Sequence, residues 1–375
     1  MAKRIDKLVC LLALAGTLTA LPAAAASGYS GTGSSNPGAG RVEGLSGVGT
    51  RAAEFLTIPV GPRGVAMGGA YSSVADDISA IYWNPAGLGF LSRPEAFLTL
   101  VERPLDIRYT YGAVAVPVWG ERMVLGAFLS VLNSGDQEIT TEFQPEGTGA
   151  FYSAYSLAAG GSVAYNFSDR FSAGITVKNV HEDIFGITQN AIAFDMGTNY
   201  HDQVLDIPVR LAFTLTNLGT NLAFGGDKLG VTVDPEDIYP GEDVGRLPRE
   251  ARRQTTSFPL PTSFRISAAA DLIHRERQNL VTAVEVAENS NLPISVAVGA
   301  EFTHRISAKS SASLRAGWGF QQDEVNAGSD ARLRGFSAGG GYLYRLYSLT
   351  IRVDYAYRDL GLLGANHTYS LSFGF

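Results

Sequence analysis

The sequence is poor in several residue types, and each shortage excludes a class of protein. Cysteine occurs once among 375 residues, at Cys10, so no disulfide framework can hold the fold together. Charged residues make up 17% of the chain, against about 25% in an average globular protein. The net charge is −7, which gives no reason to expect nucleic acid as a partner. The few histidines occur singly, without the spacing of a metal site.

Long apolar runs are also missing beyond the N-terminus. Basic residues, the apolar stretch 8–21 and an alanine run predict that residues 1–26 are a signal peptide. The alternative is an uncleaved N-terminal anchor. Beyond residue 26 no run reaches the length of about 18 apolar residues that a membrane-spanning helix needs. The remaining classes are an exported soluble β protein and a β-barrel in an outer membrane.

Glycine and aromatic residues are abundant, with 43 Gly, 19 Phe and 16 Tyr, which suits many strands joined by tight turns. From about residue 95 onward, apolar and polar residues alternate, and strand side chains have the same period of two. In residues 347–358 one face is apolar with tyrosines at both ends, and the other face carries charges. The alternation predicts fourteen strands: 96–102, 107–118, 121–132, 152–165, 170–181, 188–199, 207–218, 261–273, 279–288, 293–303, 308–320, 333–345, 347–358 and 367–375.

The lengths of the connections distinguish the two remaining classes. In an outer-membrane barrel with an even number of strands, the loops after odd-numbered strands are extracellular and long. The three longest connections, 133–151, 219–260 and 321–332, all follow odd-numbered strands. Residues 95–375 are therefore predicted to form a 14-stranded antiparallel barrel in the bacterial outer membrane, with apolar and aromatic side chains toward lipid. Phe375 ends an alternating strand, which is typical of the signal that the barrel-assembly machinery reads.

Residues 51–94, after a Gly/Ser-rich lead-in at 27–50, predict a compact segment of turns before the first strand. Asp76 and Asp77 are suited to the start of a short helix at 78–82. Asn84-Pro85 would end that helix. The residues of this segment that we single out are Arg63, Met67, Gly68, Gly69, Asp76, Asp77, Trp83, Asn84, Pro85 and Gly87.

This segment resembles the PorV/PorQ family of outer-membrane proteins, which is itself similar to the FadL family of hydrophobic-compound transporters. The resemblance is carried by Gly61-x-Arg63, Ala66-Met67-Gly68-Gly69-Ala70, Ala75-Asp76-Asp77, Tyr82-Trp83-Asn84-Pro85-Ala86-Gly87-Leu88, Asp354-Tyr355-Ala356-Tyr357 and residues 367–375. It implies a 14-stranded barrel whose N-terminal segment, here 51–94, folds into the lumen as a hatch. It also implies a role beside secreted proteins, since members of the family belong to the type IX secretion system.

The polar face of the predicted strands carries charges of both signs. They are Arg108, Lys178, Asp195, Arg265, Asp271, Glu285, Glu301, Arg315, Arg352, Asp354 and Arg358. One interpretation is a mutually paired filling that docks the hatch, and the other is a path for a substrate. The extracellular connections 133–151 and 219–260 are where a cargo or partner would bind.

These features favour a protein that is not an enzyme, needs no cofactor and acts as a PorV/PorQ-like partner in protein secretion or surface attachment. Its partners would be outer-membrane lipid, the barrel-assembly machinery and secreted cargo or secretion-system proteins. The alternative is a FadL-like transporter of hydrophobic small molecules, and a purely structural role is a third possibility. A transporter requires an apolar path between the hatch and the wall.

Overall fold

The structure, a computed structural model, describes residues 49–104, 107–119, 122–233, 249–290, 292–321, 335–361 and 364–375. The predicted signal peptide, most of the lead-in and most of the connection 321–332 lie outside the described residues, as do residues 234–248 of the connection 219–260. Within these ranges, no helix has the length and apolar composition that crossing a bilayer requires.

The wall is built from strands whose side chains alternate between two faces, as the sequence pattern requires. The strands are β1 (Glu95–Glu102), β2 (Arg108–Val118), β3 (Met123–Glu138), β4 (Phe151–Ser168), β5 (Phe171–Ile184), β6 (Ile187–Val204), β7 (Ile207–Gly219), β8 (Gly230–Val233), β9 (Arg249–Arg252), β10 (Ser263–His274), β11 (Gln278–Asn289), β12 (Leu292–Arg305), β13 (Ser310–Gln321), β14 (Phe336–Leu346), β15 (Leu349–Asp359) and β16 (Ala365–Gly374). All but β8 and β9 form one closed barrel, and those two form a small separate sheet.

The barrel closes by pairing its first and last strands. β1 is antiparallel to β16 from Glu95↔Gly374 to Glu102↔His367, and it is antiparallel to β2 on its other side. The Phe375 N–H also donates to the Pro94 carbonyl oxygen at 3.0 Å. Each strand pairs with its neighbour in the chain, except that β7 pairs with β10. The predicted fold class, a 14-stranded antiparallel barrel, is therefore confirmed.

The strand ends agree with the alternation pattern except on one side of the barrel. β3 and β5 run longer than predicted at the end that carries the long connections, to Glu138 and Ile184, whereas β4 and β6 run longer at the short-turn end, to Ser168 and Val204. β3 and β4 stay paired past an irregularity between Asn133 and Asp136, up to Glu138↔Phe151. The wall is therefore tallest there. The short turns, such as 205–206 and 347–348, lie at the opposite end, which is the periplasmic end of a bacterial barrel.

The outer face of the wall is apolar. Leu98, Leu129 and Val353 are about half exposed, at 55%, 49% and 53%. Such a continuous apolar surface is unfavourable in water and favourable in lipid. Phe375 is also exposed, and its role as an assembly signal stays a prediction.

The inner face departs from the sequence prediction on β2. Tyr109 and Tyr111 point inward and are only 1% exposed, although aromatic side chains were predicted to face lipid. Arg108, predicted to lie in the lumen, is instead exposed and shares the outer side with Thr110. The reason is that the lumen is not filled with water at this level. It holds an apolar part of residues 51–94, against which tyrosines can be buried.

Candidate functional site: the hatch and its attachment to the wall

Residues 51–94 lie inside the barrel and form the hatch. Their short elements are a 3₁₀ helix at Glu54–Thr57, an α-helix at Pro62–Ala66, an α-helix at Ala80–Trp83 and a 3₁₀ helix at Pro85–Phe90. The helix Pro62–Ala66 contacts β13 to β16, whereas Pro85–Phe90 contacts β3 to β6. The hatch thus touches opposite sides of the wall.

The predicted helix at 78–82 begins later, at Ala80. The cause is a turn around Asp77, whose Oδ1 accepts from the backbone N–H of Ser79 at 3.0 Å and from the Ser79 hydroxyl at 2.5 Å. Asn84 follows the helix in an extended conformation, as the following proline requires.

The glycines of the hatch allow its backbone to approach other backbone closely. Gly68 has φ +71°, and a Cβ on it would lie 2.6 Å from the backbone nitrogen of Trp318. A Cβ on Gly87 would collide with the carbonyl oxygen of Ala75. Gly317 in the wall similarly leaves room for the backbone of Met67, which is fully buried. Side chains at these positions would separate the hatch from its surroundings. Gly69 likewise has a positive φ.

Trp83 and Asn84 join separate turns of the hatch to each other. The Trp83 indole N–H donates to the Val60 carbonyl oxygen at 2.7 Å. The Asn84 amide donates to the Ser72 carbonyl oxygen at 2.9 Å and to Thr198 in the wall at 3.2 Å. Because Asn84 is fully buried, these bonds satisfy polar groups that would otherwise be costly to bury.

Arg63 connects the hatch to the wall through charge. Its Nε and Nη2 donate to both carboxylate oxygens of Glu301, each at 2.8 Å. Its Nη1 donates to Asp77 at 3.2 Å and also to Asp76. A two-point contact between guanidinium and carboxylate fixes orientation as well as distance.

The wall side of this contact continues through further arginines. Arg315 donates to Glu301 at 2.5 Å and to Asp354 at 2.7 Å. Arg352 donates to Asp77 at 2.8 Å. We call this set the ion network; its members are Arg63, Asp76, Asp77, Glu301, Arg315, Arg352 and Asp354.

The ion network also sets the ionisation of Asp77. Burial alone would raise the pKa of this carboxyl, but Arg63 and Arg352 lower it further than burial raises it, to about 2. Burial raises the pKa of the neighbouring Tyr71 hydroxyl well above its ordinary value. Tyr71 therefore stays protonated and donates to Asp77 Oδ2 at 3.2 Å.

Glu285 makes a second connection to the hatch. One of its carboxylate oxygens accepts from the backbone N–H groups of Tyr71 and Ser72, at 3.1 and 2.9 Å. Arg265 lies 3.8 Å from the other oxygen of Glu285, and its guanidinium carbon is 5.3 Å from the centre of the Trp83 ring. Strands β10 to β15 therefore hold the hatch by charged groups.

The other predicted lumen charges do not contact the hatch through ion pairs. Lys178 donates to Asp195 at 2.7 and 2.8 Å and to Asn217 at 2.6 Å, at an irregularity between β6 and β7. Asp271 pairs with Arg210, a residue that the sequence analysis did not single out. Arg358 faces the lumen and pairs with no carboxylate among the residues that the structure describes.

The attachment of the hatch at β1 to β3 is apolar. Phe97, Tyr109, Tyr111 and Phe128 on β1 to β3 face residues 51–94 within one hydrophobic cluster, which Tyr82 of the hatch also contacts. The Tyr111 and Phe128 rings are stacked with centroids 5.3 Å apart, and Tyr111 has no hydrogen-bond partner for its hydroxyl in the described part of the chain. We call these four wall residues the aromatic seam. The sequence analysis did not predict the aromatic seam. The pattern that could have indicated it is the spacing of two between Tyr109 and Tyr111, which places both rings on one face of β2.

The barrel is similar in fold to solved structures from bacteria. One is the Pseudomonas putida toluene transporter TodX, with TM-score 0.54 and 12% identity over 84% of this chain and 97% of that chain. Others are the CymD monoaromatic hydrocarbon channel, with TM-score 0.52 and 12% identity, and the Ralstonia pickettii toluene transporter TbuX, with TM-score 0.51 and 14% identity. Both of these matches also cover 84% of this chain and 97% of the other.

No protein-family model matches the sequence, and no curated protein matches it. At such low identity the likeness concerns the fold. A barrel of this fold with an apolar outer wall lies in the bacterial outer membrane. The FadL-like barrel implied by the resemblance is confirmed, whereas membership of the PorV/PorQ family stays a prediction. Within the described residues, no group of three or more His, Cys, Asp or Glu is placed to hold a metal ion.

Proposed function

We propose that the protein lets hydrophobic small molecules cross the outer membrane along the aromatic seam. The observation that carries the proposal is the unequal attachment of the hatch. Strands β10 to β15 hold it by directional hydrogen bonds and ion pairs. At β1 to β3 it contacts the wall through the rings of Phe97, Tyr111 and Phe128.

The two attachments respond differently to an apolar solute. Displacing an ion pair leaves buried charges without partners, which costs several kcal/mol. Displacing one apolar contact by another costs little, since an apolar molecule restores the burial that the aromatic rings lose. A hydrophobic molecule therefore inserts at the aromatic seam while the ion network keeps the rest of the hatch in place.

The similar structures support transport over secretion. Three proteins that share the fold are toluene transporters or a monoaromatic hydrocarbon channel. A role as a secretion partner rests on the resemblance to the PorV/PorQ family and gains no support from these similar structures. We therefore place transport first and propose that the protein acts without catalysing a reaction.

Uptake of radiolabelled toluene, an alkane and a long-chain fatty acid by cells with and without the protein tests this proposal. We expect faster uptake of at least one probe, and unchanged entry of a hydrophilic sugar. Phe128→Ala should raise uptake further by widening the aromatic seam. Leu129→Ala is the matched control, because Leu129 lies next in the strand and faces outward.

Outer-membrane fractions should first be shown to contain the folded barrel, by the change in its gel mobility on heating. If a folded barrel raises uptake of none of the three probes, the proposed function is wrong. If Phe128→Ala and Leu129→Ala change uptake equally, the protein transports the probe but not along the aromatic seam.

A further inference from the structure

A cleft of about 320 Å³ opens at the short-turn end of the barrel. It lies among the turns that join β10 to β11 and β12 to β13, beside the end of β14. Thr303 and Ser311 in its lining continue the lumen-facing sides that carry Glu301 and Arg315. The cleft thus occupies the periplasmic rim of the lumen, away from the aromatic seam.

Positive charge dominates this cleft. Its lining includes Arg275, Arg277, Arg305, Lys309 and Arg345, against Glu276 as the acidic residue. None of these cations pairs with a carboxylate in the part of the chain that the structure describes. We call it the basic cleft. Several cations that line one cleft beside a single acidic residue create a positive potential that favours a bound anion.

The backbone holds these cations side by side. The Arg305 N–H donates to the Arg277 carbonyl oxygen at 2.8 Å, and the Arg345 N–H donates to the Lys309 carbonyl oxygen at 2.7 Å. Neighbouring turns are therefore linked, and the backbone positions from which these side chains project are fixed relative to one another. A prearranged group of donors loses less entropy on binding than a flexible one.

A polar group inside the basic cleft is also unused. The side-chain oxygen assigned as Asn279 Oδ1 is buried and has no hydrogen-bond partner among the described residues. Either orientation of the amide places one hydrogen-bonding atom there. A ligand that carries hydroxyl or oxyanion groups beside its negative charge would satisfy this atom.

We propose that the basic cleft binds a phosphate group. Guanidinium groups match the oxygens of phosphate by paired hydrogen bonds, and Lys309 adds a further charge. The volume of about 320 Å³ admits a phosphate with a glycerol-sized substituent. At the periplasmic rim, such a group comes either from a phospholipid headgroup of the inner leaflet or from a soluble phosphorylated compound. The proposal is independent of the transported molecule.

Calorimetric titration of the full chain in a maltoside detergent, which lacks phosphate, tests the soluble source. The probe is glycerol 3-phosphate. Arg305→Gln/Arg345→Gln should weaken binding at least about tenfold, because the loss of even one charge-assisted hydrogen bond costs about that factor. Both residues are exposed, so the barrel should still fold. The control is Arg122→Gln/Arg170→Gln, which removes exposed cations from the same end outside the cleft.

Native mass spectrometry tests the lipid source, on protein incubated with phosphatidylglycerol in the same detergent. We expect the wild type and the control to retain more lipid than Arg305→Gln/Arg345→Gln. Binding in the first experiment alone assigns the basic cleft to soluble phosphates, and retention in the second alone assigns it to a headgroup. If neither experiment separates the cleft variant from the control, the proposal is wrong. Uptake of hydrophobic probes is measured separately, so failure here leaves the proposed function standing.

Discussion

Replacing Glu301 by glutamine should loosen the hatch without opening the wall. The carboxylate of Glu301 contacts Arg63 of the hatch and Arg315 of β13 at once. Glutamine keeps the volume of the side chain but removes its charge, so the two guanidinium groups would face each other across a neutral amide. The expected result is a hatch that leaves its position more often, inside a barrel that stays closed.

The size of the effect follows from how deeply these groups are buried. The side chains of Arg63, Glu301 and Arg315 are 13%, 6% and 4% exposed, so water screens them little. Removing one partner of a buried ion pair costs about 3–5 kcal/mol. Because glutamine still accepts a hydrogen bond, we take about 3 kcal/mol, which corresponds to about a hundredfold rise in the population of the undocked hatch.

Hydrogen–deuterium exchange in detergent, followed on peptides from residues 60–80, measures this population. Asp227→Asn is the control. Asp227 pairs with Arg252 but its side chain is fully exposed, so this substitution should leave exchange unchanged. Glu301→Gln combined with Arg63→Gln should exchange more slowly than the single Glu301 variant, because the single variant leaves the Arg63 guanidinium of the hatch without its carboxylate partner in the wall. Exchange in Glu301→Gln within about twofold of the wild type would refute the view that the ion network holds the hatch.

Two further changes test other parts of the hatch. Gly68→Ala should lower thermal stability by about 1–3 kcal/mol through collision with the backbone of Trp318. Gly49 also has a positive φ, but a Cβ on it would have no atom within 4 Å, so Gly49→Ala should lower the stability less. Equal losses of stability in the two variants would show that only backbone strain matters. Acid should release the hatch only at low pH, because the pKa of Asp77 in the folded protein, about 2, lies below its ordinary value of 3.8. The stabilisation from Asp77 is thus complete above about pH 4 and is lost as the pH falls toward 2. Pepsin cleavage within the hatch should increase over that interval, and Asp77→Asn should remove this step; a step that persists in the variant would assign the transition to other carboxylates.

Local periodicity was sufficient to predict most of the barrel. Glu301 and Asp354 were placed on the inner face because strand side chains alternate, and both are buried there. Because the long connections follow odd-numbered strands, they also predicted which end of the barrel is extracellular. Both kinds of information are contained in short stretches of sequence.

The pairings within the site depend on contacts that short stretches do not contain. Arg63 and Glu301 are 238 residues apart, and their meeting depends on the depth at which the hatch lies in the barrel. The same depth explains the mistake on β2. The rule that apolar residues face lipid assumes a polar lumen, so it placed Arg108 inward, whereas the hatch makes the inward side of Tyr109 and Tyr111 apolar.

The joint between β1 and β16 has a consequence for the order of assembly. It unites the first strand of the barrel with its last, and the Phe375 N–H donates to the carbonyl oxygen of Pro94, the residue at which the hatch ends. The hatch is made before the wall and is tethered at the position where the wall closes. We therefore expect closure and filling to be a single event, in which β16 encloses a hatch that is already beside β1. A chain that lacks β16 would therefore have an open wall and a hatch that is not enclosed.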